Sequence, residues 1–159
     1  MIPDSSVLGG VPYEVARNFG MPHIRAYYKN RSVDSNAFET DAECAVCRSM
    51  ATNSHHEPPK GMSGRYRSFT MNTPNGIFTL RPALIAICGS GTTGCHGALH
   101  DKQVGFRWVW DDEEVEERWW SGWFLSHGYM PHDQRLYLYG RWVITDKRTG
   151  AAFEYREVI

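Results

Sequence analysis

At 159 residues and a net charge of −1 with histidine neutral, the chain is long enough to bury one sizeable core and carries no global attraction for a polyanion. It holds no run of about 18 apolar residues, the length a membrane-spanning helix needs, so no membrane partner is expected. Met1-Ile2-Pro3-Asp4 opens without the basic and apolar stretches of a secretory signal; the expected compartment is the cytoplasm, where four cysteines bind metal more readily than they form disulfides.

Residues 1–43 read as an N-terminal arm. Pro12 to Phe19 spans two helical turns with Pro12 at a tolerated start, and Gly20 and Pro22 end them. A DNA-reading helix-turn-helix between Val15 and Tyr28 needs more helix than this segment offers, so an arm that packs on the rest is expected. Ser32 to Thr40 is polar and reads as loop.

Residues 44–103 concentrate ligand-type side chains: all four cysteines (Cys44, Cys47, Cys88, Cys95) and four of the seven histidines (His55, His56, His96, His100). Cys44-Ala45-Val46-Cys47 is compatible with a zinc half-site, a redox pair or two buried thiols. No strand–helix–strand pattern surrounds it and a second cysteine pair follows, so structural zinc is preferred. Gly89 to Gly94 lets the backbone curl so that Cys88 and Cys95 face one ion; it lacks the Gly-Lys-Ser/Thr ending of a phosphate-binding loop. Leu84 to Ile87 suits a buried strand.

From Cys95 a short helix is expected, although Gly97 is a poor helix former. On it His96 and His100 stand four apart and project from one face, able to share a metal. Neighbouring residues on a strand point to opposite sides, so one of His55 and His56 can join that metal while the other serves as a neutral base. Three protein ligands leave positions for water and a phosphate oxygen, which is a hydrolase constellation.

Residues 104–159 read as a Trp-rich α+β extension on that core. Val104 to Trp110 alternates like a strand. Asp111 or Asp112 caps a helix with an acidic first turn, whose Val115, Trp119, Trp120, Trp123 and Phe124 make one apolar face ending near Gly128. Leu136 to Thr145 and Ala152 to Val158 read as two strands joined at Asp146 to Gly150. The tryptophans are assigned to the core rather than to nucleobase stacking, and His127 and His132 to a loop.

Taken together, Cys44-x2-Cys47, His55-His56-Glu57-Pro58-Pro59-Lys60-Gly61-Met62-Ser63-Gly64 and Cys88-x6-Cys95-His96-x3-His100 resemble the HNH, or His-Me finger, nucleases, most of all those of phages and prophages. The resemblance covers about residues 44–101. It implies an α+β fold whose core is a ββα-metal finger, with a hairpin and a helix gripping one divalent ion. Its structural Zn²⁺ would sit on Cys44, Cys47, Cys88 and Cys95, and such a zinc supplies about 10–16 kcal/mol of apparent binding energy. His55, His96 and His100 would hold the catalytic ion (Mg²⁺, Mn²⁺, Ni²⁺ or Zn²⁺), and His56 would be the general base. DNA would be the partner, cut to 5′-phosphate and 3′-hydroxyl ends in the cytoplasm of a bacterial host or phage-infected cell. A phage packaging protein or a second copy of the chain is a further partner in keeping with that setting. The family's middle asparagine is missing: its place falls at about Ala83, and Asn72 or Asn75 from a longer loop, or another group, would take its role.

Between His55 and Trp110 there are six basic residues against two acidic ones, and the acidic excess sits in Asp111 to Glu117. A neutral chain can therefore present a basic face, with Lys60, Arg65 and Arg67, and then Arg81, as candidate phosphate contacts. The expected function is a metal-dependent DNA endonuclease hydrolysing phosphodiester bonds. The alternative is a zinc-stabilised nucleic-acid- or protein-binding module that does not cleave, its histidines forming a second zinc site or satisfied by neighbours. A thiol-redox protein is a third reading, which stoichiometric zinc on unreactive cysteines would remove.

Overall fold

The computed structural model is mixed helix and strand, and it describes residues 11–24, 42–59 and 68–156. At its centre β1, Asn53–Glu57, pairs antiparallel with β4, Ala83–Ile87. The register sets His55 opposite Ile85, His56 opposite Leu84 and Glu57 opposite Ala83. All five residues of β4 are buried, as an apolar run without alternation implies for a strand covered on both faces.

The far edge of β4 is covered by the arm. Ile24 bridges Ile85 in parallel: its N–H donates to the Leu84 carbonyl at 3.2 Å, and Ala86 N–H donates to the Ile24 carbonyl at 3.2 Å. Only one of the two helical turns expected after Pro12 forms, α1, Tyr13–Ala16. Phe19 and Ile24 then bridge β4 and its approach, which is why Ala16, Phe19, Met21 and Ile24 are fully buried. Of the span weighed as a helix-turn-helix, residues 25–28 lie outside the described residues, as does the loop expected over Ser32 to Thr40.

Between β1 and β4 runs a hairpin absent from the expectations: β2, Phe69–Thr73, with β3, Gly76–Leu80, joined by Pro74-Asn75. Lys60, Arg65 and Arg67 lie outside the described residues. After β4 the chain turns through Cys88 into α2, Gly94–His100. Gly89 makes that turn at φ +89°; a Cβ there would lie 2.1 Å from the Thr93 carbonyl oxygen, so only glycine fits.

The last third forms an antiparallel sheet of order β5–β6–β7: Val104–Trp110, Gly140–Asp146 and Ala151–Tyr155. Two expectations fail here. The single helix to Gly128 is split into α3, Glu113–Trp120, and α4, Trp123–Ser126. The break is Gly122, left-handed at φ +78°, where a Cβ would lie 2.3 Å from Thr73 Oγ1 of the hairpin. Leu136 to Tyr139, expected as strand, is a 3-10 helix, Gln134–Tyr139, started by Asp133 accepting the Arg135 N–H at 2.9 Å. Leu136 and Tyr137 are adjacent and both buried, which a strand with one buried face cannot satisfy. The N-cap expectation holds: Asp112 Oδ1 accepts from Val115 N–H at 2.9 Å.

Five of the six tryptophans are buried, with Trp108 and Trp142 edge to face at 5.4 Å between centroids. The main core cluster runs unbroken from the arm through β4 and α2 into the C-terminal sheet. Among the described residues no helix is long and apolar enough to cross a membrane.

Candidate metal centres

The four cysteines converge. Their sulfurs all lie within 4.8 Å of one another, none is in a disulfide, and Cys47 and Cys88 are 3.6 Å apart. Local backbone chemistry explains this. Cys44 N–H donates to Ser49 O at 2.7 Å and Arg48 N–H to Cys44 O at 3.0 Å, closing a knuckle with Arg48 at φ +66°. Ala45 N–H donates to Ala86 O at 3.0 Å and anchors the knuckle to β4. On the other side His96 N–H donates to Cys88 O at 2.9 Å and starts α2 where Cys95 faces inward.

Burial pushes the Cys44 and Cys95 thiols up. Partial burial also raises Cys47, but hydrogen bonds from the Ser49 hydroxyl and backbone, and from Cys88 and Cys44, outweigh it and bring that thiol to about 6. Four sulfurs at this spacing are a donor set that fits a structural metal ion.

One contact to this centre comes from far along the chain. Arg148 donates to Cys95 Sγ at 3.2 Å and pairs through Nε with the buried Asp146 at 3.0 Å. Nothing in the sequence pattern links residues 53 apart on the α2 start and a β6–β7 turn; only folding brings them together.

The second group is His55, His96 and His100, whose ligand nitrogens also lie within 4.8 Å of one another. β1 supplies the first and α2 the other two, with Nε2 of His96 and of His100 3.1 Å apart. His55 and His96 are buried and His100 is exposed, so the group opens toward solvent on that side. Burial, then His100, hold the His55 ring near a pKa of 3; burial, then His55 and His100, hold His96 near 4. Both rings are therefore neutral at pH 7, as metal ligation requires, and the three nitrogens fit a divalent cation.

His56 is not one of this group. Opposite Leu84, it sits on the other face of β1 with Ser54, and its Nε2 is enclosed. There it interacts with His23, which stacks on His132 with centroids 4.3 Å apart and is held well below its usual pKa by burial, then by His132 and His56. The strand pairing accounts for this arrangement, because His23 precedes Ile24 on the arm as Leu84 precedes Ile85 on β4. His127 lies apart, stacked on Trp123 at 4.1 Å.

Neither asparagine considered for the vacant family position reaches the histidines. Asn75 Nδ2 donates to Ser121 O at 2.9 Å, and Asn72 is exposed on β2. On the His55 side a cleft of about 280 Å³ opens between α1 and β5, lined by Arg17, Asn18, Glu57, Pro58 and Arg107 among others. Alternation along β1 was enough to put Glu57 beside His55; nothing in the sequence pointed to Asn18 or Arg17.

No family model, curated protein or solved structure matches this chain.

Chemically, the arrangement offers a four-sulfur centre and an open nitrogen centre that share the helix α2, the first suited to holding structure and the second to presenting a cation. Cys95 and His96 are consecutive, so any order imposed on the sulfurs is passed directly to an imidazole.

Proposed function

We propose that this chain is a metal-dependent DNA endonuclease of the HNH kind, with β1, β4 and α2 serving as a ββα-metal finger and the four cysteines holding a structural Zn²⁺. The observation that carries the reading is the convergence of His55, His96 and His100, three imidazoles open on one side, drawn from a strand and a helix tied to a cysteine cluster. A divalent cation there (Mg²⁺, Mn²⁺, Ni²⁺ or Zn²⁺) supplies stabilisation of negative charge on the phosphate oxygens.

In this reading His55, His96 and His100 bind and orient, and His56 accepts a proton from the attacking water. The water oxygen bonds to phosphorus as the P–O3′ bond breaks, and the leaving oxygen takes a proton from solvent, giving 5′-phosphate and 3′-hydroxyl ends. A positioned base of this type contributes ~10²–10⁴-fold. Arg17 and Arg107, which line a cleft together with Glu14 and Glu57, would meet flanking phosphates in this reading.

The enclosed Nε2 of His56 and the apolar Ala83 favour a second reading, a zinc-stapled nucleic-acid- or protein-binding module. Supercoiled plasmid with Mg²⁺, Mn²⁺ or Ni²⁺, with and without chelator, separates the two. The endonuclease nicks only with metal, and His56→Ala and His96→Ala lower the rate at least ~10²-fold. Absence of metal-dependent nicking, or a His56→Ala variant as fast as its parent, assigns the binding module.

A further inference from the structure

β1 alternates, so Glu57 shares with His55 the face turned to His96 and His100. Glu57 Oε2 lies 3.3 Å from Nε2 of His55, and the two side chains are only 16% and 3% exposed. Across the pair stands Ala83, whose single methyl leaves the carboxyl room. When one imidazole nitrogen of a neutral ring binds a cation, the proton resides on the other, and a buried N–H needs an acceptor. Among the described contacts of His55, the group with an oxygen able to accept that N–H is the Glu57 carboxyl.

Glu57 is held in turn. Asn18, 4% exposed, hydrogen-bonds the Glu57 carboxyl. The same amide accepts Trp108 N–H at 3.0 Å and donates to Phe106 O at 3.2 Å, so it is locked onto the backbone of β5. The arm, β1 and β5 therefore meet in three consecutive side chains that end on a candidate ligand. Glu57 is not a member of the group of mutually close ligand atoms, so its influence on an ion passes through His55.

We propose that Asn18, Glu57 and His55 form a fixed hydrogen-bonded relay in which Glu57 is the positioning residue of the histidine centre. It takes the Nε2–H of His55, sets the tautomer and leaves Nδ1 as the atom that faces the cation. The inference rests on the reading of His55, His96 and His100 as a cation site, and does not require that the site cleave DNA.

The test is Co²⁺ titration of the full-length, zinc-loaded chain by calorimetry and visible absorption, beside ¹⁵N-histidine NMR of the loaded protein. Glu57→Ala lowers Co²⁺ affinity at the histidines ~10–100-fold, the range for loss of an outer-shell partner, while zinc stays at one per chain. Glu57→Gln, which keeps an acceptor oxygen, recovers most of the affinity. Asn18→Ala loses part of it, and the double variant is no weaker than Glu57→Ala alone, because Asn18 acts through Glu57. The NMR of the parent shows Nδ1 of His55 metal-bound and Nε2 protonated, a readout that stands even if a variant fails to fold.

Unchanged affinity in Glu57→Ala, additive losses with Asn18→Ala, or Nε2 as the metal-bound nitrogen overturns the relay. Glu57-dependent binding in a chain that never nicks DNA removes the endonuclease reading alone. Nicking with Glu57-independent binding removes the relay alone. Failure of Co²⁺ to bind at the histidines removes both.

Discussion

Replacing Gly97 with alanine sets two effects of opposite sign against each other. Gly97 lies inside α2 between His96 and His100, and helix propensity alone makes alanine more stable there by about 1 kcal/mol. A Cβ at that position, however, lies 2.5 Å from the Thr92 carbonyl carbon and 2.9 Å from its oxygen. These are backbone atoms of the Cys88–Cys95 loop and cannot swing aside as a side chain does. Overpacking of this kind costs ~1–3 kcal/mol, relieved only by shifting the loop that carries the cysteines or tilting the helix that carries the imidazoles.

A 2.5 Å approach to backbone takes the upper part of that range, ~2–3 kcal/mol, so Gly97→Ala destabilises by about 1–2 kcal/mol net, a fall in Tm of roughly 2–8 °C for a chain of this size. Metal affinity at His96 and His100 falls with it. Scanning calorimetry of the zinc-loaded chain and Co²⁺ titration read the two effects separately. A variant melting at or above the parent, with unchanged Co²⁺ affinity, would show that the close approach of α2 to Thr92 is not a constraint.

In the ion-free histidine centre, pH acts in both directions. Below about 6.5 the unfolded chain takes up imidazole protons that His55 (near 3) and His96 (near 4) refuse when folded, so stability falls as pH drops. Burial raises Glu57 to about 8, so above its unfolded value the folded chain keeps a proton the unfolded chain has lost, and stability falls as pH rises. Between about 4.5 and 6.5 the His55 and Glu57 terms offset, leaving His96, and His23 in the same direction, to make stability rise with pH. From 6.5 to 8 the Glu57 contribution falls by about 2 kcal/mol, while Cys47, brought to about 6, acts in the opposite direction equally in both chains, so the parent loses about 2 kcal/mol relative to Glu57→Gln; urea melts at pH 6.5 and 8 in which the two chains change alike contradict the account. Arg148→Gln removes the donor at Cys95 and speeds zinc release to a colorimetric chelator about 10-fold or more; release at the parental rate excludes a role for that contact. Asn75→Ala uncaps Ser121 O and costs about 1 kcal/mol in a urea melt, with no change in metal content; a parental melt shows the cap to be dispensable.

Legibility followed the length scale of the interaction. The Cys-x2-Cys knuckle, the i, i+4 imidazoles of α2 and the opposed His55 and His56 are set by local periodicity, and the structure has them as local periodicity requires. The acidic helix start at Asp112 was readable for the same reason. The helix break at Gly122 was not, because what decides it is Thr73 of a hairpin 49 positions earlier pressing on a residue that has no side chain. Leu136 to Tyr139 looked like a strand until the depth of both Leu136 and Tyr137 was known.

By itself the sequence determined the donor types: four thiols and a set of imidazoles in a stretch of under sixty residues, with spacings that admit two separate centres and a mixed α+β framework. Local alternation left open which of His55 and His56 turns to the helix; tertiary structure placed His55 with His96 and His100, and His56 with His23, which stacks on His132. It also brought Asn18 and Arg148 to the edges of those centres. The physical reason is that strand pairing fixes faces, whereas contacts between residues tens of positions apart depend on burial of a shared core, which no local pattern encodes.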